Sequence, residues 1–460
     1  MMRGRWIWLK SYKLMQAKVI LSDYIQKIFE TPSIEGSEWF GYYNYDTLNH
    51  DKTKMLCNRA KFDGISPQKE LSIELGYYDL TTGLWHHIAD TNSWNWQQGA
   101  MMQWIPGEAN KNKVIYNCTR NNHNASCIFD IETKEVKEID WAIYGITPDG
   151  KKSITLEMER SHWCRAYHYK SVSNKEWDGR VVEADGIFEI DLESNSRRRI
   201  ISIDDIIKTD YKPEFELYKH WLEHIMISPD GSKFCFLHRY SPMNDVMAYK
   251  TRVCIADIDG SSLSVLCGTD CFQWSHFGWE DSNRFCIYAY KQEKYKNVPG
   301  FSELIKGKRL SIPNICKRVV LTISRFMPRR LGIILSGRDS YYQYYTRVEG
   351  NHYSVCEDWK HSLFNIDGHP SFTNGGEYVI TDTYPDKHGY QNLIAYNVKT
   401  KKAVVLGRFY AYYKGNPASC DLHPKLSKDN NFVVVDTAYN EKHHMILFKL
   451  DWERIRTRLS

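Results

Sequence analysis

The chain has 460 residues, of which 42% are hydrophobic, 14% aromatic and 25% charged. This composition is that of a folded globular protein and excludes a disordered or collagen-like chain. The formal net charge is +5. However, 12 Lys or Arg and only 3 Asp or Glu fall between Lys291 and Ser340, so the other residues carry 49 basic and 53 acidic groups. The excess positive charge therefore belongs to one segment.

The N-terminal residues 1–38 carry charges throughout and lack the apolar core and cleavage site of a secretory signal peptide. No window of the sequence approaches the roughly 20 apolar residues that a membrane-spanning helix needs. Several of the 12 cysteines lie inside apolar strand patterns, as buried free thiols do. We therefore expect a cytoplasmic protein, in which residues 1–38 form an extension that could supply a strand to the main domain.

A recurring pattern runs along the rest of the chain. A short apolar strand is followed by a turn rich in Asp, Gly, Asn or Pro, a second strand, a polar connection and a third strand. The four clear copies begin at His224, His276, His369 and His423. Three weaker copies begin at Tyr45, Met101 and Ile143.

Seven units with a period of about 40–50 residues are typical of a β-propeller. A β-sandwich is the competing all-β architecture, but a repeat through most of the chain favours the propeller. The sequence therefore predicts an all-β fold, a seven-bladed β-propeller over residues 39–451, with a C-terminal tail at 452–460.

The fifth unit is interrupted by a basic insertion, residues 295–340, in which Ile, Val, Leu and Phe alternate with Lys and Arg. Such an amphipathic segment can lie on an anionic membrane surface, where each basic residue contributes about 1 kcal/mol. A solvated or protein-docking loop is the alternative. We expect peripheral contact with the inner membrane surface through residues 295–338, and no nucleic-acid partner because the remainder is acidic.

The four histidines occupy the first position of four successive repeats. Because the first strand of each propeller blade lines the central channel, equivalent positions converge near the axis. Imidazole is both a metal ligand and a proton acceptor that titrates near neutral pH. The cluster is therefore predicted to bind a metal, to perform acid–base chemistry, or both.

Other polar residues near strand ends have two interpretations. Asp367 and Asp421, each two residues before a repeat histidine, could ligate a cation, orient an imidazole or make a turn. The residues that could line a glycan pocket or satisfy blade turns are Gln98, Asn117, Arg120, Arg160, Arg239, Asp382 and Asp436. The absence of P-loop, dinucleotide-binding, GxSxG and HExxH motifs removes sequence support for nucleotide chemistry and serine hydrolysis.

Five phrases between residues 219 and 451 resemble the oligogalacturonate lyases: HWLEHIMISPDG, TRVCIADIDG, WSHFGW, GHPSFTNGGEYV and DLHPKLSKDN. The resemblance implies a seven-bladed propeller that cleaves short uronic-acid oligomers by β-elimination with a bound divalent metal, usually manganese. It also implies that Arg252 and His276 are catalytic and that His369 and His423 bind the metal.

The sequence departs from this family at two expected metal ligands. Asp421 stands where the family has a histidine, and Ala418 stands where it has a glutamine. A site with an oxygen ligand still suits manganese most, with calcium or magnesium as alternatives. We therefore expect His369, Asp421 and His423 to hold the metal.

The chemistry of β-elimination explains the residue types. The C5 proton beside a uronate carboxylate is removed and the oxygen on C4 leaves, so a metal would neutralise the carboxylate and His276 would accept the proton. Arg252 is assigned to charge stabilisation, because the pKa of arginine exceeds about 12. The predicted substrate-binding residues are His224, Arg239 and Gln98, and His224 is alternatively a third histidine ligand of the metal. The alternatives are a glycan hydrolase or transferase using the same site, and a non-catalytic propeller that binds a glycan or protein.

Overall fold

The computed structural model describes residues 18–164, 169–266, 271–291, 340–413 and 418–460. Within these ranges the strands form seven antiparallel sheets, each of four or five strands. The predicted all-β, seven-bladed β-propeller is confirmed. The basic insertion lies outside the described residues except at its last position, Ser340, where a strand of the fifth blade begins.

Blades 1 to 3 each pair neighbouring strands in chain order. Blade 1 comprises β3 (Ser37–Trp39), β4 (Lys54–Ala60), β5 (Ile73–Asp79) and β6 (Trp85–Thr91). Blade 2 comprises β7 (Gln103–Trp104), β8 (Lys113–Arg120), β9 (His123–Asp130) and β10 (Val136–Ile139). Blade 3 comprises β11 (Gly145–Ile146), β12 (Lys152–Leu156), β13 (Gly186–Asp191) and β14 (Ser196–Ser202).

Blades 4 to 6 follow the same order. Blade 4 comprises β15 (Tyr218–Ile227), β16 (Lys233–Pro242), β17 (Lys250–Asp257) and β18 (Ser264–Val265). Blade 5 comprises β19 (Cys271–Asp281), β20 (Arg284–Lys291), β21 (Ser340–Glu349) and β22 (His352–Trp359). Blade 6 comprises β23 (Ser371–Phe372), β24 (Tyr378–Asp382), β25 (Tyr390–Asn397) and β26 (Ala403–Tyr410).

The two ends of the chain meet in blade 7. Its strands β27 (Lys425–Leu426), β28 (Phe432–Thr437) and β29 (His444–Leu450) come from the C-terminal region, and β2 (Ile25–Glu30) pairs with β29 as the fourth strand. A further N-terminal strand, β1 (Val19–Leu21), pairs with β26. These pairings attach the N-terminal part of the chain to blades 6 and 7, at the C-terminal end of the propeller.

Three α-helices lie among the described residues: α1 (Met158–Cys164), α2 (Ile203–Lys208) and α3 (Trp452–Leu459). The Asp451 side chain accepts a hydrogen bond from the Arg454 N–H and so caps α3. The buried side chains of Ile455 and Leu459 join the apolar cluster of blades 6 and 7. None of the helices in the described ranges is long and apolar enough to cross a membrane.

The blades pack against one another through apolar strand residues. Val253, Cys254 and Ile255 in the third strand of blade 4 are fully buried, as are Cys57 and Cys235 in other blades. These cysteines are free thiols. Their burial agrees with the prediction from the apolar strand patterns.

Candidate metal and acid–base site

The four repeat histidines lie together at the central channel. The ring centroids of His276 and His369 are 4.1 Å apart, and those of His369 and His423 are 4.2 Å apart. The ring of His224 lies 5.9 Å from that of His276. The side chain of His276 is 11% exposed, whereas His369 is fully buried. The cluster therefore has a buried side and a side that can reach a ligand.

Two of these histidines have a backbone conformation that is uncommon for residues with a side chain. The φ angles of His224 and His423 are +57° and +42°, in the left-handed region. His224 lies at an irregularity in β15, where the pairing register with β16 shifts between Glu223 and Met226. Such conformations cost about 1–3 kcal/mol and concentrate at functional sites, where surrounding contacts maintain them.

Asp382, at the end of β24, holds two of the histidines. One carboxylate oxygen accepts hydrogen bonds from the His369 backbone N–H at 2.7 Å and from His369 Nδ1 at 2.9 Å. The other accepts from the His423 backbone N–H at 3.1 Å. Because Nδ1 of His369 donates to a carboxylate, its Nε2 carries the free lone pair that a metal ligand requires.

His369 Nε2 is buried and has no hydrogen-bond partner in the described part of the chain. His369, Asp421 and His423 each offer one ligand atom, and these atoms all lie within 4.8 Å of one another. An unsatisfied buried nitrogen is costly unless another group pairs with it. The three residues therefore fit a divalent cation.

The electrostatics of this group favour a cation. Burial and, to a smaller extent, the nearby Asp382 carboxylate raise the pKa of Asp421 to about 7. Burial also holds the pKa of His423 well below its usual value, so its imidazole is neutral. Asp367, Asp382 and Asp421 place three buried carboxylates around the histidines. A bound cation would relieve their mutual repulsion.

His276 pairs with a different carboxylate. Its Nδ1 lies 3.3 Å from Oδ2 of Asp367. Burial alone would raise the pKa of Asp367, but His276 and neighbouring hydrogen-bond donors lower it below its usual value. The Tyr290 hydroxyl donates to Asp367 Oδ2 at 3.0 Å, and the Gly368 N–H donates to Oδ1 at 2.9 Å. The carboxylate is thus held in place to orient His276 as a base.

Two tyrosines that the sequence does not indicate complete the cluster. The inner strand of blade 1 ends at Trp39, and its pairing with β4 resumes only at an isolated bridge from Leu48. The intervening residues, 40–47, bring Tyr42 and Tyr43 to the histidines. The Tyr42 ring stacks on His224 with its hydroxyl on Nδ1 of that imidazole. The Tyr43 ring lies 5.1 Å from that of His369.

This segment is held by a carboxylate of blade 7. Asp436 accepts hydrogen bonds from the backbone N–H groups of Phe40 at 3.1 Å and Gly41 at 2.8 Å. Gly41 has a φ of +114°, and a Cβ there would lie 2.6 Å from the backbone of Gln98. Only glycine fits this close approach without strain.

The predicted catalytic arginine is engaged elsewhere. The Arg252 guanidinium donates to the backbone carbonyls of Ile206 and Thr209 at 2.7 Å each, at the C-terminal end of α2. It also donates to Nδ1 of His238. Among the described residues, its hydrogen-bond partners belong to this helix end, its connecting turn and His238, and none is a repeat histidine.

The other two predicted substrate residues are buried and bonded to protein groups. Nη1 of Arg239 lies 2.8 Å from Oε2 of Glu223, and the same oxygen lies 3.5 Å from His224 Nε2. Arg239 is therefore linked to the cluster through Glu223. Gln98 is buried and donates to the Tyr144 hydroxyl at 3.0 Å.

No family model matches the chain, and no curated protein sequence matches it. Solved structures, however, do match this chain. The structure of an oligogalacturonate lyase in complex with manganese superposes with a TM-score of 0.55, at 14% identity over 95% of this chain and 98% of that chain. The oligogalacturonate lyase of Vibrio parahaemolyticus gives a TM-score of 0.54, at 13% identity over 94% and 98%. This chain has the oligogalacturonate lyase fold.

Within this fold, the position that the sequence resemblance assigns to a glutamine ligand carries no side-chain donor. Ala418 is fully buried, and its carbonyl accepts a hydrogen bond from His443 Nε2 at 2.9 Å. The carboxylate of Asp421 is therefore the oxygen ligand available beside His369 and His423.

Proposed function

We propose that the protein is a metal-dependent lyase that cleaves a short oligosaccharide containing uronic acid by β-elimination. The observation that carries this proposal is the adjacency of two sites. A buried cation site lies beside an imidazole paired with a carboxylate, and the rings of His276 and His369 are only 4.1 Å apart. β-Elimination beside a carboxylate needs both a cation and a base.

His369, Asp421 and His423 would hold the cation. Manganese is the first candidate, because mixed imidazole and carboxylate ligands suit it, and magnesium or calcium are alternatives. The manganese complex of the neighbouring lyase structure supports this choice. When bound, a divalent cation neutralises the uronate carboxylate as a Lewis acid. Asp382 would fix His369 and His423 in the orientation that ligation requires.

His276 would take the proton from C5 of the sugar. Its Nδ1 faces Asp367, which leaves Nε2 to accept the proton and lets the carboxylate stabilise the resulting imidazolium. The electron pair of the broken C–H bond forms the C4–C5 double bond, and the bond from C4 to the leaving oxygen breaks. Asp367 therefore acts as a positioning residue for the base.

The remaining predicted residues are assigned different roles according to their contacts. The contacts of Arg252 with the carbonyls of α2 favour a role in holding that helix rather than in touching the sugar. His224 and Gln98 remain proposed substrate ligands. Arg239, which is paired with Glu223, would act on the sugar through His224.

The proposed lyase activity is tested by incubating the protein with manganese and a panel of uronate oligosaccharides. We expect an ultraviolet-absorbing unsaturated product, and a loss of about 10²–10⁴-fold in rate for His276→Ala. The exposed His50→Ala variant is the matched control and should keep the wild-type rate. If no oligosaccharide of the panel gives a gain in ultraviolet absorbance, the elimination mechanism is wrong. Products whose masses include an added water would identify hydrolysis instead.

We also propose that the protein works in the cytoplasm and contacts an anionic membrane surface through residues 295–338, which lie outside the described residues. Co-sedimentation with vesicles containing phosphatidylserine tests this proposal. We expect the full chain to bind them and a variant lacking residues 295–338 to bind less. Equal binding by the two forms would exclude this segment as the membrane contact.

A further inference from the structure

Four tyrosines lie close to the histidines and their carboxylates, and three of their hydroxyls are engaged. Tyr42 contacts His224, Tyr43 donates to the Phe277 carbonyl at 2.6 Å, and Tyr290 donates to Asp367. The fourth is Tyr384. Its hydroxyl makes no hydrogen bond with any residue in the described ranges.

Tyr384 lies beside both the proposed base and a proposed metal ligand. Its ring centroid is 6.0 Å from that of His276 and 5.7 Å from that of His369, and it meets both edge-on. Tyr384 is half-buried, whereas Tyr42 and Tyr43 are only 3% and 2% exposed. Tyr290 is likewise half-buried, but its hydroxyl is bonded to Asp367, so Tyr384 offers the hydroxyl of this group that a ligand can approach.

The backbone of Tyr384 is fixed by the same carboxylate residues that organise the site. It follows Asp382 by two residues, and its N–H donates to the Asp367 backbone carbonyl at 2.8 Å. Asp367 holds His276, and Asp382 holds His369. The backbone of Tyr384 is thus bonded to the residue that holds His276 and lies next to the one that holds His369, which places its phenol beside both, as a group that acts on a reacting atom must be.

β-Elimination also needs a proton donor for the leaving oxygen, and none of the residues assigned so far supplies it. His276 takes the C5 proton, but a sugar oxygen leaving C4 also needs a proton, because an unprotonated sugar alkoxide is a poor leaving group. We propose that Tyr384 is a further catalytic residue that donates its hydroxyl proton to the leaving oxygen. This inference rests on the proposed lyase function.

The step balances with the groups named. The C5–H bond breaks and its proton moves to His276, while its electron pair forms the C4–C5 double bond. The C4–O bond breaks and its electron pair stays on the leaving oxygen, which takes the Tyr384 proton. Water then returns a proton to the phenolate and removes one from the imidazolium. The step needs no oxidant or further reactant.

Two substrates separate this role from a structural one. The first has a sugar as the leaving group on C4, and the second has 4-nitrophenol there, which leaves readily without protonation. For Tyr384→Phe we expect kcat to fall by about 10²–10⁴-fold on the sugar substrate and to stay close to wild type on the nitrophenyl substrate. Tyr410→Phe, which removes an exposed phenol from blade 6, should behave as wild type on both.

Manganese content and thermal unfolding of Tyr384→Phe should match wild type, because the hydroxyl makes no protein contact in the described ranges. An equal loss on both substrates, or no loss on either, would overturn the role of Tyr384 alone. Failure of the wild-type protein on both substrates would instead overturn the lyase function and this inference with it.

Discussion

Replacing Asp382 by asparagine removes one negative charge at the centre of the site and leaves the size and shape of the side chain almost unchanged. The carboxylate accepts hydrogen bonds from three N–H groups, two of His369 and the backbone N–H of His423. An asparagine amide keeps one oxygen and replaces the other by NH₂. In either orientation of the amide, a donor then faces an N–H donor of His369 or His423. The variant therefore weakens the hold on both proposed metal ligands.

The size of the effect follows from these contacts. Hydrogen bonds to a charged group contribute about 1.5–3 kcal/mol. Loss of a carboxylate that orients a ligating histidine commonly reduces metal affinity by about 10–100-fold, which corresponds to about 1.4–2.8 kcal/mol. We expect the manganese dissociation constant of Asp382→Asn to rise by that factor.

Isothermal titration with manganese measures this change directly. The matched control is Asp386→Asn, because Asp386 lies in the same β24–β25 connection but pairs with Arg408. The control should bind manganese as wild type does. A folded Asp382→Asn variant with wild-type manganese affinity would refute the reasoning, since Asp382 would then not organise the ligands.

Three further predictions concern stability. Gly41→Ala should destabilise the protein in denaturant unfolding by more than Gly83→Ala, because a Cβ at Gly83 meets open space and only the left-handed backbone cost of about 1–2 kcal/mol applies there. Equal losses in the two variants would contradict this. Burial lowers the pKa of His220 to about 4, so the unfolded chain binds the proton first as pH falls below 6.5. The free energy of unfolding should then fall by up to about 1.4 kcal/mol per pH unit between pH 6.5 and 4. The fall should be smaller in His220→Gln, and an equal pH dependence in the variant and the wild type would exclude His220 as the cause. Manganese at 100 times its dissociation constant should raise the free energy of unfolding of the wild type by about 2.7 kcal/mol. If the His369→Ala/His423→Ala double variant is stabilised as much, the metal binds elsewhere.

The fold could be predicted from the sequence because its repeat is local. Each unit carries its own strand alternation and turn residues, so seven weakly similar copies indicate seven blades without any knowledge of long-range contacts. The histidines could be placed for the same reason, since His224, His276, His369 and His423 share one repeat position.

The rest of the site depends on contacts between distant residues. Tyr42 and Tyr43 lie where the inner strand of blade 1 is interrupted, and the weak copy counted from Tyr45 starts after them. The run FGYYNYDT is the signal that could have indicated an aromatic insertion. The sequence indicates Asp382 only as one polar residue near a strand end, because nothing in its spacing predicts a bond to His423, 41 residues away.

Arg252 shows which features of a side chain a sequence pattern leaves open. In the antiparallel register it lies opposite His238, on the third strand of blade 4. Its side chain extends to the carbonyls that end α2. A sequence pattern gives the strand and the position of a residue, but which of several nearby acceptors it binds is decided by packing between elements.

The proposed lyase function is tested most directly by the fate of water in the reaction. The protein would be incubated with manganese and uronate oligosaccharides, and the masses of the products measured by mass spectrometry. We expect fragments whose masses add up to that of the substrate, one of them unsaturated. Fragments whose masses add up to that of the substrate plus one water, or no cleavage of any oligosaccharide in the panel, would contradict β-elimination by this site.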